Sequence, residues 1–192
     1  TAVCGSNNGG ISCSKILLVG IVEPDEPYEW CRVYAIVDDQ SNSSLISSEL
    51  ADRLGADGLK EKYYLSTCSG NRETKFGRRV SGLVARSVSN GRENHLPTLV
   101  ECDSLPEDKN EIPTPEIARR LPHLQEIAQE IPPLDGTAGV HVLFGRNAPE
   151  LLKERAFKNG PCKGCPLGTK AVIGMDYYWP SMLTPLEQTC SH

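Results

Sequence analysis

The chain has 192 residues, of which 39% are hydrophobic, and its formal net charge at pH 7 is −5. A chain of this length and composition can bury one sizeable core, so we expect one globular domain, with or without short appendages. The acidic balance argues against a general binder of phosphate backbones, which needs clustered Lys and Arg, and we expect no nucleic acid partner.

The chain begins with a predicted arm and two predicted strands. Residues 1–14 are rich in Gly, Asn and Ser, which is typical of a flexible N-terminal arm. Branched apolar residues then fill 15–22 and 30–37, and the Pro- and acid-rich segment between them cannot continue a sheet. These runs predict two neighbouring strands joined by a turn. The apolar run at 16–22 is far shorter than the roughly 20 residues that span a bilayer, so no membrane contact is expected.

A short helix and further strands are predicted next. Residues 47–55 combine a Ser cap, two Leu residues four positions apart and a terminal Gly, which predicts a short helix. The turn-rich stretch 69–77 is expected to cap a hairpin. Apolar and β-branched residues predict the other strands, at 62–68, 78–88, 96–102 and 139–145.

The stretch 103–136 predicts a helical insertion on the surface of the domain. Thr114 is a cap, Pro115 lies in the first helical turn, and Pro122 ends this helix. A second helical turn is predicted at 123–130.

The last part of the domain is predicted to end in a helix. Residues 148–157 form an amphipathic pattern with Pro149 in the first turn, which predicts a helix that closes the domain. The domain is assigned to 15–174, and 175–192 is assigned as a C-terminal tail.

Two adjacent acids, Asp38 and Asp39, stand where the second apolar run ends. Two facing carboxylates share a proton, because like charges at short range cannot both ionise, and such a pair can activate a water molecule. Adjacent residues of a strand point to opposite faces, so these two acids cannot face each other. The second acid of a pair must therefore come from elsewhere.

Two segments carry a resemblance to a known family. "AIVDDQSNSSLI" at 35–46 resembles the active-site loop of retropepsin-like aspartic proteases, and "VHVLFGRNAPELL" at 140–152 resembles their second signature. Over approximately 11–174 the chain is similar to the protease-like domain of Pao/BEL-type retroelement polyproteins, through the blocks "SCSKILLV", "TCSGNRETKFGRR", "LPTLVEC", "EIPTPEIAR" and "HLQEIA". The resemblance implies a mainly β fold, a closed, barrel-like single lobe with a few short helices.

The resemblance also assigns roles in the active-site loop. Asp38 matches the catalytic Asp. Asp39 falls on a Ser or Thr position whose side chain accepts a backbone hydrogen bond from the partner loop. Gln40 falls on a Gly position used for close approach to substrate, and its side chain could crowd the water site. Ser41 completes the loop.

Two further sets of residues match the family. The flap tip that folds over substrate corresponds to Thr67, Cys68, Ser69, Gly70 and Asn71, with Gly70 as the hinge. The second signature corresponds to Gly145, Arg146 and Asn147, in which the Arg pairs with an acid near the active-site loop and has a structural role.

These matches imply an aspartic endopeptidase that cleaves a retroelement polyprotein and uses no cofactor. Because the chain holds one Asp-centred motif, the active form would be a homodimer in which each subunit supplies one Asp38. Gln40 motivates an alternative, a catalytically inactive scaffold or interaction domain with the same fold.

The eight cysteines allow a third hypothesis about function. The chain is too long to depend on disulfide staples, which favours reduced thiols and a cytoplasmic setting. Cys162 and Cys165 have the spacing of half a zinc site, and Cys190 with His192 is a weak second half. A zinc-stabilised binding module is therefore a lesser alternative, and an ordinary loop without metal is favoured.

Overall fold

A computed structural model of the protein describes residues 15–23, 30–66, 72–106, 109–158, 168–171 and 177–178. In these ranges the chain is mainly β with a few short helices, so the predicted fold class is confirmed at this level. None of the helices in these ranges is long and apolar enough to cross a lipid bilayer. The predicted N-terminal arm at 1–14 lies outside the described residues.

Nine strands form one sheet in the order β4-β5-β8-β3-β9-β2-β1-β6-β7. The pairs β2/β9 and β3/β8 are parallel, and the other neighbours are antiparallel. The strand bounds are β1 Ile16–Val22, β2 Cys31–Val37, β3 Leu45–Ile46, β4 Lys60–Ser66, β5 Arg72–Val80, β6 Val84–Ser87, β7 Glu93–His95, β8 Leu99–Glu101 and β9 Val140–Phe144. Since β4 and β7 are the two edges, the described strands form a curled half-barrel rather than the closed lobe that the resemblance implies.

The curl wraps the sheet around one main hydrophobic core. Buried residues from seven of the nine strands and from the helix α1, Ser48–Arg53, belong to this core. Strand β1 is buried along its whole length because its two faces pack on different clusters. Leu17 and Val19 face the main core, whereas Leu18 packs with Tyr34 in a second cluster. The continuous apolar run of β1 reflects this burial on both sides.

The remaining helices lie within 103–136. Thr114 caps α2, Pro115–Arg119, by accepting the backbone N–H of Ile117 at 3.4 Å. Two 3₁₀ helices, Lys109–Glu111 and Pro122–Glu130, flank α2. Buried side chains of α2, of the second 3₁₀ helix and of the residue after it form a small separate core: Ala118, Leu124, Ile127, Ala128 and Ile131.

The predicted closing helix at 148–157 is wrong. The N–H of Ala148 donates to the carbonyl of Gly145, and the N–H of Leu151 donates to that of Ala148, so the chain makes tight turns here. These turns bury Ala148 and Leu151 in the main core. The chain then extends as β10, Glu154–Lys158, and pairs with a new strand, so tertiary pairing overrides the helical pattern.

A second, three-stranded sheet contains β10, β11 at Gly168–Ala171 and β12 at Tyr177–Tyr178. The two residues of β12 belong to the predicted tail and pair with β11. The predicted strand at 78–88 is also divided. Gly82 has a φ of 87° and turns the chain between β5 and β6. Strand β5 begins at Arg72, so most of the stretch predicted as a hairpin turn is strand.

Candidate functional site

Strands β2 and β9 bring the two predicted signature segments together. They are parallel, with Val37 opposite Phe144, so the residues that follow each strand leave the sheet at the same edge. The N–H of Asp38 donates to the carbonyl of Phe144 at 3.0 Å. Strand β3 lies on the other side of β9 and is antiparallel to it, so the loop 38–44 crosses the end of β9. Asp38 and Gly145 therefore start two segments that touch.

Ser44 is the centre of the contact between these segments. Its side chain is fully buried. Its N–H and its hydroxyl both donate to Asn147 Oδ1, at 2.8 and 2.7 Å, and its hydroxyl oxygen accepts the N–H of Gly145 at 3.0 Å. Asn147 Nδ2 donates in turn to the carbonyl of Thr98 at 3.3 Å. Every polar group that Ser44 brings into the core is thus satisfied.

The sequence does not single out Ser44, although one signal was available. A hydroxyl that directly precedes a short apolar strand is carried into the core and must find partners there. The sequence does single out Asn147 through the second signature. Its observed contacts explain why an amide oxygen suits this position, since it accepts two hydrogen bonds while the amide nitrogen donates a third.

Gly145 permits the close approach of the two segments. A Cβ atom at this position would lie 2.6 Å from the carbonyl oxygen of Ser43 and 3.0 Å from that of Ser41. The next residue adds a backbone bond, since the N–H of Arg146 donates to Ser41 O at 2.9 Å. The site therefore needs glycine for its lack of a side chain.

Arg146 has a structural contact that differs from the one implied by the resemblance. Its guanidinium donates to Asn42 Oδ1, an amide oxygen of the crossing loop, where the family pattern would place an acid. The side chain of Arg146 is exposed. The contact joins the two segments through an amide in place of a carboxylate.

The Asp38 carboxylate is fixed by its own loop. Its Oδ1 accepts the backbone N–H of Gln40 at 2.9 Å, a local turn that orients the carboxyl plane. The residue is partly buried. Its other oxygen makes no hydrogen bond within the part of the chain that the structure describes, so it can contact a second molecule. Ser41 stiffens the same loop, because its hydroxyl donates to Ser43 O at 2.8 Å.

Asp39 and Gln40 both have exposed side chains. Among the described residues Asp39 makes no hydrogen bond, so it does not stabilise the loop of its own chain. The acceptor that does so is Asp38. The bond assigned to Asp39 by the resemblance would be made to a second subunit, and it stays a prediction.

The other predicted site residues are not brought to this place. The flap tip, Thr67 to Asn71, and the weak metal candidates Cys162, Cys165, Cys190 and His192 lie outside the described residues. Within the ranges that are described, no group of three or more His, Cys, Asp and Glu side chains could hold a metal ion.

A partly buried ion-pair network, absent from the predicted site, anchors the hairpin β4–β5. Arg78 donates from its backbone N and from Nε to Glu101 Oε2, at 2.8 and 2.9 Å, and from its guanidinium to Asp52 Oδ1 at 2.6 Å. The hydrogen bond from Arg78 lowers the pKa of Glu101 below its usual value. Strand β5, strand β8 and helix α1 are joined at this point.

A cleft of about 300 Å³ lies beside this network, between the hairpin and the chain that follows β8. Burial, together with a hydrogen bond to Cys102, raises the pKa of the Tyr63 hydroxyl. Hydrogen bonds from Ser48 lower the pKa of Asp103. The cleft is lined by Tyr63, Thr74, Lys75, Phe76, Glu101, Cys102 and Asp103.

Comparison of the chain with models of known protein families, with curated proteins and with solved structures found no match. The functional conclusion therefore depends on the residues of the site and their geometry.

Proposed function

We propose that this chain is a retropepsin-like aspartic protease domain that cleaves a retroelement polyprotein as a homodimer. The observation that carries the proposal is the placement of Asp38. It stands at the end of a buried strand, its N–H is bound to Phe144 O, and its loop is locked to the second signature through Ser44 and Asn147. A catalytic carboxylate needs such a fixed backbone with one oxygen left open.

The proposed chemistry uses one Asp38 from each subunit. The two carboxyl groups share one proton, since both cannot be ionised at short range. The ionised carboxylate takes a proton from a water molecule as the water oxygen attacks the peptide carbonyl carbon. The protonated carboxyl gives its proton to the carbonyl oxygen. The carboxyl that took the proton from water then gives it to the amide nitrogen as the C–N bond breaks. The other carboxylate takes a proton from a hydroxyl of the intermediate, so an acid and an amine are released and the shared pair is restored.

The described contacts support separate roles for the two adjacent acids. Asp38 supplies the reacting carboxylate, oriented by the backbone N–H of Gln40. Asp39 is exposed and free to accept a hydrogen bond from the partner loop. Arg146 and Asn147 hold the loop in place and do not touch substrate.

A second candidate function has its own observation. The exposed side chain of Gln40 stands two residues from Asp38, at a position where the family pattern has Gly. If this side chain fills the water site, the domain is a catalytically silent scaffold or interaction domain. The zinc-stabilised module is a lesser candidate, because Cys162 and Cys165 have the spacing of only half a zinc site. Its four residues lie outside the described part of the chain.

Cleavage of a polypeptide by the purified chain, followed by mass spectrometry, tests the proposal. We expect cleavage that is best at mildly acid pH, because the shared pair acts only with one carboxyl protonated and the other ionised. The Asp38→Asn variant should lose it, because an amide cannot exchange the proton. Cleavage by Asp38→Asn at the wild-type rate would show that Asp38 is not the catalyst.

A further inference from the structure

The hairpin β4–β5 extends beyond the main sheet. Its strands pair from Lys60 opposite Arg78 to Ser66 opposite Arg72, whereas only Arg79 and Val80 also pair with β8. Of its residues, only Val80 belongs to the main core. Alternate residues of a strand share a face. One face carries seven exposed residues and is here called the outer face: Lys60, Lys62, Tyr64, Ser66, Arg72, Thr74 and Phe76. Arg78, opposite Lys60, continues this face at the anchor of the hairpin and is paired there with Glu101 and Asp52.

The outer face exposes two aromatic rings. All seven of its residues are exposed, and Tyr64 and Phe76 keep 55% and 62% of their surface accessible. Lys62 is opposite Phe76, and Tyr64 is opposite Thr74, so the two rings are diagonal neighbours on adjacent strands. Such neighbours are about 7–8 Å apart. Contiguous apolar surface that stays exposed can mark an interaction site.

The charges of the hairpin are separated between its two faces. Lys60, Lys62 and Arg72 are on the outer face, which contains no acid, and none of the three makes an ion pair within the described residues. The Arg72 guanidinium lies 4.1 Å from the centre of the Tyr64 ring, and the Lys62 ammonium lies 5.4 Å from it. The outer face therefore combines unpaired cations with aromatic surface.

The opposite face of the hairpin carries acids as well as cations, and these are paired with each other. Its two acids are each paired with a cation, Glu61 with Arg79 at 2.9 Å and Glu73 with Lys75 at 3.7 Å. These pairs neutralise the charges of that face. The unpaired positive charge of the hairpin is thus confined to the outer face.

We propose that the outer face of the hairpin β4–β5 binds single-stranded nucleic acid. Bases stack on Tyr64 and Phe76, and the phosphates lie against Lys60, Lys62 and Arg72. Single strands offer unstacked bases to aromatic side chains, whereas the bases of a duplex are already stacked on each other. An acidic polypeptide would satisfy the cations but has no bases to stack on Tyr64 and Phe76. A single strand uses both features of the face.

This proposal differs from the expectation drawn from net charge, which sums over the whole chain. Exposed charges farther apart than a Debye length of about 8 Å are largely screened at physiological ionic strength. The potential at the outer face is therefore set by its own three cations and by charges close to them, not by distant acids. Of the nearby acids, Glu61, Glu73 and Glu101 are each paired with a cation.

Fluorescence anisotropy with the full chain tests the proposal. The probes are labelled oligo-uridine and oligo-thymidine single strands of roughly 12 nucleotides, a DNA duplex of the same length, and polyglutamate. We expect both single strands to bind more tightly than the duplex, and the two arms show whether RNA or DNA is preferred. The logarithm of their binding constant should fall linearly with the logarithm of the salt concentration. The expected slope is about −2, because each of the three cations contributes about −0.7.

Paired variants separate the two contributions. Lys62→Gln with Arg72→Gln should reduce the salt slope by about 1.4. The control, Arg53→Gln with Arg120→Gln, makes the same charge change at exposed residues elsewhere and should leave the slope unchanged. Tyr64→Ala should weaken binding about tenfold, the scale of one lost stacking contact. Leu134→Ala, another exposed apolar residue, should have no effect.

Four results would overturn the proposal. These are no binding of either single strand at low salt, duplex binding as tight as single-strand binding, an equal loss of slope in the control, and preferred binding of polyglutamate. The last would assign the face to an acidic polypeptide. None of these measurements depends on peptide cleavage, so the fate of the protease proposal does not affect them.

Discussion

The Ser44 hydroxyl lies 2.7 Å from Asn147 Oδ1 and joins the loop after β2 to the segment after β9. The same hydroxyl accepts the N–H of Gly145, so a single buried oxygen of the loop after β2 satisfies two groups of the segment after β9. The position of Asp38 depends on this contact, because Asp38 starts the loop that Ser44 ends.

Ser44→Ala should therefore destabilise the fold. It leaves the Gly145 N–H without its acceptor and removes one of the bonds to Asn147, in a site where Ser44 is fully buried. An unsatisfied buried group costs about 1–3 kcal/mol of unfolding free energy, which urea denaturation measures. Ser43→Ala is the matched control, since the described contacts of Ser43 use its backbone carbonyl. Equal stability of the two variants would contradict the assignment.

Gly145→Ala should be costly for a different reason. The added Cβ would meet the Ser43 carbonyl oxygen at 2.6 Å, and the backbone on both sides is held by hydrogen bonds. Forcing atoms into such a contact costs about 1–3 kcal/mol. At Gly136 a Cβ would meet nothing within 4 Å. Gly136→Ala should therefore stabilise by about 0.4–1 kcal/mol through the unfolded state. Thermal unfolding of the two variants should shift in opposite directions.

Acid should weaken the anchor of the hairpin β4–β5. The pKa of Glu101 is lowered in the folded protein by its hydrogen bonds from Arg78. Its contribution to stability is thus complete above the pKa of the unfolded state and is lost as the pH falls through the lower folded value. Unfolding free energy should decline below about pH 4.3, the usual value for Glu. Urea denaturation at a series of pH values measures this decline.

Two variants identify the carboxylate responsible for the acid-side decline in unfolding free energy. Glu101→Gln should make the acid-side decline shallower at the expense of stability at neutral pH. Glu93→Gln, a change at an exposed carboxylate outside any described ion pair, should keep the wild-type decline. A decline that is unchanged in Glu101→Gln would show that another group is responsible.

The sequence predicts the strands well where branched apolar residues follow one another, as in β1, which is buried along its whole length, and in most of β2. It also places Asp38 and Gly145 at strand ends, since each follows an apolar run directly. The helix predicted from the amphipathic pattern at 148–157 does not form. Turns bury Leu151 in the core instead, and the chain then pairs as a strand, which no local feature of the sequence indicates.

Contacts between distant segments escape prediction for a related reason. The bonds of Ser44 to Asn147 and of Arg78 to Glu101 join residues far apart in the chain. Nothing in the local sequence of either partner specifies the other. The separation of charges on the hairpin β4–β5 likewise appears only once the register of its two strands is known.

Activity, if it requires one Asp38 from each subunit, should depend on dimer formation. Cleavage per mole of chain should rise with protein concentration, in step with the dimer fraction measured by sedimentation. Excess Asp38→Asn chain should inhibit the wild type by forming mixed dimers with one carboxylate. Inhibition no greater than simple dilution, or full activity in a sedimenting monomer, would contradict the shared pair.

Gln40→Gly is the change that separates an active protease from a silent scaffold. The bond from residue 40 to Asp38 Oδ1 comes from the backbone N–H, so it survives the change while the side chain next to the water site is removed. If Gln40 crowds that water, cleavage should increase by about tenfold, which corresponds to about 1.4 kcal/mol of barrier. Gln40→Met keeps the length of the side chain and should not gain activity. Asp39→Ser introduces the hydroxyl that retropepsin-like proteases have at the matching position, and it should preserve cleavage or improve it. A silent wild type with an active Gln40→Gly would assign the natural protein to the scaffold class, and silence in both would count against a catalytic Asp38.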